Sequence, residues 1–267
     1  MPIPDLKGTV VIVTGAAGGL GSAMTLALLE AGASVAAFDL ESSSRFMDEL
    51  LSAARDRQAG NRVRPFWCDV RNPAQAASAI TAAETAFGRV DGLVNNAGLG
   101  PVHHPDPKKP MRFYEVDVDI WKSRIDTNLT GPFIMARTLA PRLIAQGRGK
   151  IVNVTTSYTT MVRETPYGPA KAGLEAATAI WAKDMAGTGV TANVLVPGGM
   201  ANTRMVPTNV APDRQSLIQP DVMRAPIQWL MSRDSDGVTG KRYIGREWDP
   251  NLDPNEAAEK VGKPAAW

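Results

Sequence analysis

Short β-branched apolar runs alternate along this chain with longer segments whose apolar residues recur every three to four positions. The runs at residues 9–13, 34–38, 62–67, 150–154, 191–196 and 240–244 have strand length, and turn-forming residues follow most of them. Residues 91–94 are too short for periodicity to assign, but Asn95-Asn96-Ala97-Gly98 follows them as a turn would. Helical spacing runs through residues 22–31, 42–57, 73–87 and 117–144, then from Tyr167 onward and through 226–231. Pro73 occupies a favourable first-turn position, whereas Pro132, inside the 117–144 run, is expected to kink or divide it beside Asn128. A repeating strand and helix order predicts a doubly wound, parallel α/β sheet in three layers, with ligands at the carboxyl ends of the strands. Residues 200–220 carry little periodicity and suit a cap over a substrate, and residues 245–267 form a polar tail with two tryptophans.

Composition narrows the function classes. The 267 residues form one expected domain with a sizeable core, and 29 basic against 27 acidic side chains give a formal charge of only +2. Nucleic acid is therefore not an expected partner. No apolar run approaches the length of a membrane span, and residues 1–8 lack the order of a signal peptide. The single cysteine, Cys68, excludes an internal disulfide, so a cytoplasmic location is expected. His103 and His104 are adjacent, but no carboxylate or cysteine stands at ligand spacing, and no metal is expected.

The first strand runs into Thr14-Gly15-Ala16-Ala17-Gly18-Gly19-Leu20-Gly21 and then a helix. A strand, a glycine turn and a helix start make a phosphate cradle, because bare glycines let the backbone approach a pyrophosphate at a helix N-terminus. Asp39 ends the second strand and is followed by Leu40 and Glu41. A carboxylate there accepts from ribose hydroxyls and repels a 2′-phosphate, which favours NAD(H) over NADP(H). Tyr167 and Lys171 are four residues apart at a helix start, hence on one face. Bringing a phenol from a pKa of ~10 to ~7 takes about 4 kcal/mol. A cation ~4 Å away at an effective dielectric of ~20 supplies roughly that. Lys171 is thus expected to make Tyr167 a working general acid or base.

Together these residues resemble the short-chain dehydrogenase/reductase family in its single-domain, Rossmann-type form, over roughly residues 7–244. Gly15 to Gly21, with Ala17, Gly18, Gly19 and Leu20 in the turn, match its Thr-Gly-x-x-x-Gly-x-Gly loop. Asp69-Val70 match its adenine-contact pair, and Asn95-Asn96-Ala97-Gly98 its sheet-stabilising motif. Asn128, Tyr167 and Lys171 match catalytic positions; Pro197, Gly198, Met200 and Thr203 fall in the nicotinamide segment. There is one departure. The family's catalytic hydroxyl, three residues after Asn153, would be Thr156, yet the usual residue type is Ser, which selects Ser157; Ser157 is preferred here on residue type.

The resemblance implies an NAD-dependent oxidoreductase interconverting a secondary alcohol and a ketone. Tyr167 would move the proton, Lys171 would hold the nicotinamide ribose, the Ser157 or Thr156 hydroxyl would orient the substrate oxygen, and Asn128 would hold a relay water. A homotetramer or homodimer is implied in the same way. The alternative is a catalytically silent dinucleotide-binding regulator on the same fold. Met161, Arg163, His103, His104 and residues 200–210 are the expected pocket walls, and the tail is expected to pack on a neighbouring subunit.

Overall fold

Val10–Thr14 forms β1 with all five residues buried, and its side chains divide between two cores. Val11 and Val13 face one, Val10 and Ile12 the other, which is why the run is apolar throughout rather than alternating. A computed structural model of the protein describes residues 3–101, 109 and 111–266. Within it the strands β2 (Ser34–Asp39), β3 (Val63–Trp67), β4 (Gly92–Asn95), β5 (Gly149–Val154), β6 (Val190–Val196) and β7 (Lys241–Ile244) follow the predicted runs to within two residues. They join β1 in one sheet of order β3-β2-β1-β4-β5-β6-β7, parallel throughout, and a two-residue β8 (Lys263–Pro264) closes the edge antiparallel to β7. The chain reverses its winding direction between β1 and β4. A crevice therefore opens at their carboxyl ends.

Helices cover both faces. On one side α1 (Gly19–Glu30) and α2 (Ser44–Asp56) pack with α8 (Arg224–Met231) and α9 (Pro254–Val261) around Met24, Leu28, Ile227 and Trp229. On the other side α3 (Pro73–Phe87), α5 (Gly131–Ala145) and α7 (Tyr167–Asp184) enclose Phe38, Ile80, Leu93, Met135 and Leu139. The predicted 117–144 helix is divided as expected, into α4 (Val118–Ile125) and α5, with a π-helical turn at Asp126–Thr130 between them. Pro132 has no N–H to give to a carbonyl one turn back, and the wider π turn absorbs that loss. Spacing gave no sign of the one-turn helix α6 (Tyr158–Met161).

The tail corrects an expectation. It folds back on its own chain. Ala257, Ala258 and Val261 of α9 are buried, and Trp248 lies 5.9 Å from Trp229 and 6.4 Å from Tyr243, ring centre to ring centre. The Ala265 N–H donates to the Gly240 carbonyl at 2.8 Å, fixing the chain beyond β8. Trp267 lies outside the described residues. The tryptophan that suggested an intersubunit contact is a core residue, because a single eight-residue helix is too short to show its period beside irregular neighbours. Ending the chain at Arg246 should therefore lower the melting temperature by several degrees or more, since it uncovers Trp229 and Tyr243. Differential scanning calorimetry checks this; an unchanged transition would place the tail outside the folded unit.

Candidate active site

The glycine turn between β1 and α1 is fastened to the end of β4. Gly15 has φ +63°, and a Cβ there would stand 2.8 Å from Ala97 Cα, so only glycine fits. Asn96 Nδ2 donates to the Thr14 and Gly15 carbonyls, 3.0 Å each, and the Thr14 hydroxyl accepts from the Asn96 and Ala97 N–H groups at 3.0 and 3.1 Å. The N-cap of α1, Gly18, supplies no side-chain cap, and its first turn carries no acid. Gly19, Leu20 and Gly21 thus begin a helix whose positive end is left to an anion, which is the fit a pyrophosphate requires. Asp39 accepts from the Ala17 N–H at 2.9 Å and from the Leu40 N–H at 2.8 Å, which aims its carboxylate along the same turn. At the end of β3, Asp69 accepts from Arg71 Nη2 at 2.6 Å, and this holds its carboxyl below the usual range. Val70 is buried beside it, and burial pushes the Cys68 thiol up to about 11.

One face of α7 lies along β5 and the three residues after it. Tyr167, Lys171, Glu175 and Thr178 follow helical spacing on that face, and all are buried. Asn153 Nδ2 donates to Thr178 Oγ1 at 2.8 Å, Thr155 Oγ1 to Glu175 Oε2 at 3.0 Å, and Lys171 Nζ to the Val154 carbonyl at 2.9 Å. Polar contacts at three levels thus set helix against strand in one register. Beyond them the Thr156 hydroxyl is the side-chain group that acts on the Tyr167 phenol. Ser157 turns away: its Oγ accepts from the Thr160 N–H at 3.2 Å and lies 3.0 Å from Thr160 Oγ1, capping α6. Residue type pointed to Ser157, but the hydroxyl against Tyr167 belongs to Thr156.

The electrostatics correct a second expectation. Burial pushes the Tyr167 phenol up to about 12, with the Thr156 hydrogen bond pulling partly the other way. Burial also brings the Lys171 ammonium down to about 8. Lys171 Nζ stands 5.9 Å from the Tyr167 ring centre and spends a hydrogen bond on Val154. The pair is present, yet in this buried site desolvation is the largest influence on each group.

Asn128, fully buried in the π turn, accepts from the Leu99 N–H and donates to the Leu99 carbonyl, 2.9 Å each. A Cβ on Gly98 would meet Asn128 Oδ1 at 2.7 Å and Lys171 Nζ at 3.7 Å, so that glycine lets the two converge. The chemistry assembled here is a proton donor or acceptor, a second hydroxyl and a buried cation beside an anion cradle.

The short chain dehydrogenase profile matches residues 9–213. The chain belongs to the short-chain dehydrogenase family. It is 30% identical over 246 residues to the 3-oxoacyl-[acyl-carrier-protein] reductase of Thermotoga maritima, covering 88% of this chain and 95% of that protein. A crystal structure of 3-ketoacyl-(acyl-carrier-protein) reductase from Brucella melitensis complexed with NADH superposes with a TM-score of 0.77 at 25% identity, over 90% of this chain and 97% of that one. So does a structure from Beutenbergia cavernae, assigned as an NAD(P)-dependent gluconate 5-dehydrogenase with bound NADP at low occupancy, at 0.77 and 25% over 90% and 96%.

In this short-chain dehydrogenase the 200–220 segment is a closed loop. Ala201 pairs with Ile218, and Arg214 ties the interior, donating to Asn202 Oδ1 at 2.9 Å and to the Val206 and Thr203 carbonyls at 2.8 and 2.7 Å. It rests on the glycine turn, since a Cβ on Gly19 would come within 2.6 Å of Thr203 Cγ2. Gly198 (φ +101°) follows Pro197 and starts the segment; Met200 is exposed. Arg204 was not among the sequence candidates. Its Nη2 donates to the Ala17 carbonyl at 2.7 Å and its guanidinium stacks 3.3 Å over Phe46, which brings a cation to the turn that Asp39 also holds. Of the expected pocket walls, Met161 is buried and Arg163 is paired with Glu164 at 3.0 Å, while His103 and His104 lie outside the described residues. Among the described residues no group of His, Cys, Asp or Glu could hold a metal, and no helix is long and apolar enough to cross a membrane.

Proposed function

We propose that this chain is an NAD-dependent oxidoreductase interconverting a secondary alcohol and a ketone, with Tyr167 as general acid and base. The observation that carries the reading is the buried Tyr167 phenol, beside the Thr156 hydroxyl and one helical turn from Lys171. Gly15 to Gly21 and Asp39 would hold the pyrophosphate and adenosine ribose, with Leu40, Asp69 and Val70 toward the adenine. Asn96 to Gly98, Lys171, Pro197, Gly198, Met200 and Thr203 would border the nicotinamide half. Bound there, a nicotinamide accepts hydride in one direction and donates it in the other. Thr156 orients the substrate oxygen, and Tyr167 gives or takes the proton on it. Lys171, charged below about 8, carries the positive potential that favours phenolate. A proton path past Asn128 would use its backbone, because Leu99 engages its side-chain amide.

The Asp39 carboxylate at the turn supports NAD over NADP. Trp121, Phe133 and Ile180, exposed on α4, α5 and α7, support a homotetramer or homodimer. Fluorescence titration with NADH and with NADPH tests the cofactor reading, and NADH is expected to bind at least about tenfold more tightly. Tighter NADPH would overturn the preference and turn attention to Arg204. Binding of either without turnover of any alcohol or ketone would favour a silent regulator.

A further inference from the structure

Behind the Thr156 to Tyr158 loop lies a buried ion pair between elements distant in sequence. Arg242 on β7 and Glu175 on α7 are 3% and 0% exposed, with Arg242 Nε 2.8 Å from Glu175 Oε1. Arg242 Nη2 donates to the Thr156 carbonyl at 3.1 Å, and its guanidinium stands 4.2 Å over the Tyr158 ring. The other Glu175 oxygen, Oε2, accepts from the Thr155 hydroxyl at 3.0 Å. One residue of the loop is thus held by its side chain through the acid, the next by its carbonyl through the base.

A buried pair of this kind is a poor device for stability, since well-packed apolar residues of similar size commonly do as well or better. Its geometry, in contrast, acts on one object. Thr156 is the residue whose hydroxyl acts on Tyr167, and it stands past the end of β5 at Val154, just beyond the bond from the Thr155 N–H to the Leu195 carbonyl. We propose that Glu175 and Arg242 are positioning residues that fix the Thr156 hydroxyl against Tyr167. Arginine suits this, since its Nη2 donates to the Thr156 carbonyl while the rest of the guanidinium lies against the Glu175 carboxylate, a spread that the single nitrogen of lysine does not offer. The proposal rests on the reading of Thr156 as the hydroxyl that orients substrate.

The test uses the full-length protein with 9,10-phenanthrenequinone as carbonyl probe. Arg242→Lys, which keeps the charge, should lower kcat by about ten- to a hundredfold while KM and melting temperature change little. In Glu175→Leu/Arg242→Met the apolar pair should keep the melting temperature at or above that of the parent while kcat falls as in Arg242→Lys. A double variant as active as the parent, or Arg242→Lys with kcat within twofold, would make the pair structural only and overturn the inference. The methyl resonance of Thr156 in threonine-labelled protein reads positioning without turnover. It should shift in both variants, and an unmoved resonance would also overturn the proposal. Thr156→Val run in parallel separates the two claims: if it keeps full kcat, the hydroxyl reading fails, and the resonance alone decides whether the pair positions Thr156.

Discussion

Replacing Tyr167 with Phe is expected to lower kcat by about 10³-fold in either direction while NADH affinity stays close to that of the parent. The substitution removes one oxygen from a buried site and leaves the ring packing beside Lys171. The fold and the dinucleotide cradle should therefore survive. Absorbance of the reduced nicotinamide gives the rate, and fluorescence titration gives the affinity. The pH dependence has a definite sign. With its pKa pushed up to about 12, the phenol of the unliganded protein holds its proton across the physiological range. It is thus ready as an acid, and carbonyl reduction should be flat or fall as pH rises. Alcohol oxidation needs the phenolate and should rise with pH, levelling off where bound cofactor has brought Tyr167 to its working value. Lys171, at about 8 and charged below that, opposes this rise only weakly near neutrality. A Phe variant within tenfold of the parent would end the case for Tyr167 as proton donor.

What could be read from the chain was what local pattern carries. Val10 to Thr14, the glycines after it and the start of α1 stand in one short stretch, and strand, turn and helix each leave their own period there. Tyr167 and Lys171 were legible for the same reason, since an i, i+4 spacing fixes a shared face without any knowledge of the fold. Pro132 marked the division beside Asn128, though not that it takes the form of a π turn. The electrostatics were misjudged because spacing says nothing of burial, and burial moved both groups against the charge pair. Arg204 meets Ala17 across 187 residues, and Arg242 meets Thr156 across 86. No local pattern encodes such contacts. The tail was misread because α9 is short and its apolar residues make sense only against Trp229 and Tyr243.

Thr156 and Ser157 give the sharpest remaining contrast, because two sound arguments point to different atoms. Residue type favours serine, whereas the register of α7 on β5 favours threonine, and that register is set by Asn153, Val154 and Thr155 before residue 156 is reached. Thr156→Val keeps shape and removes the hydroxyl, so kcat is expected to fall by about 10²-fold, the size seen when one preorganised donor to a reacting oxygen is lost. Thr156→Ser should retain most of the rate. Ser157→Ala should leave kcat within about twofold but cost about 1 kcal/mol of stability, since its Oγ caps α6 rather than facing the phenol. Steady-state kinetics with thermal melts of all three variants distinguish the assignments. A large loss of kcat in Ser157→Ala with none in Thr156→Val would mean that the loop turns over when cofactor and substrate bind. The contact of Thr156 with Tyr167 would then describe the resting enzyme alone.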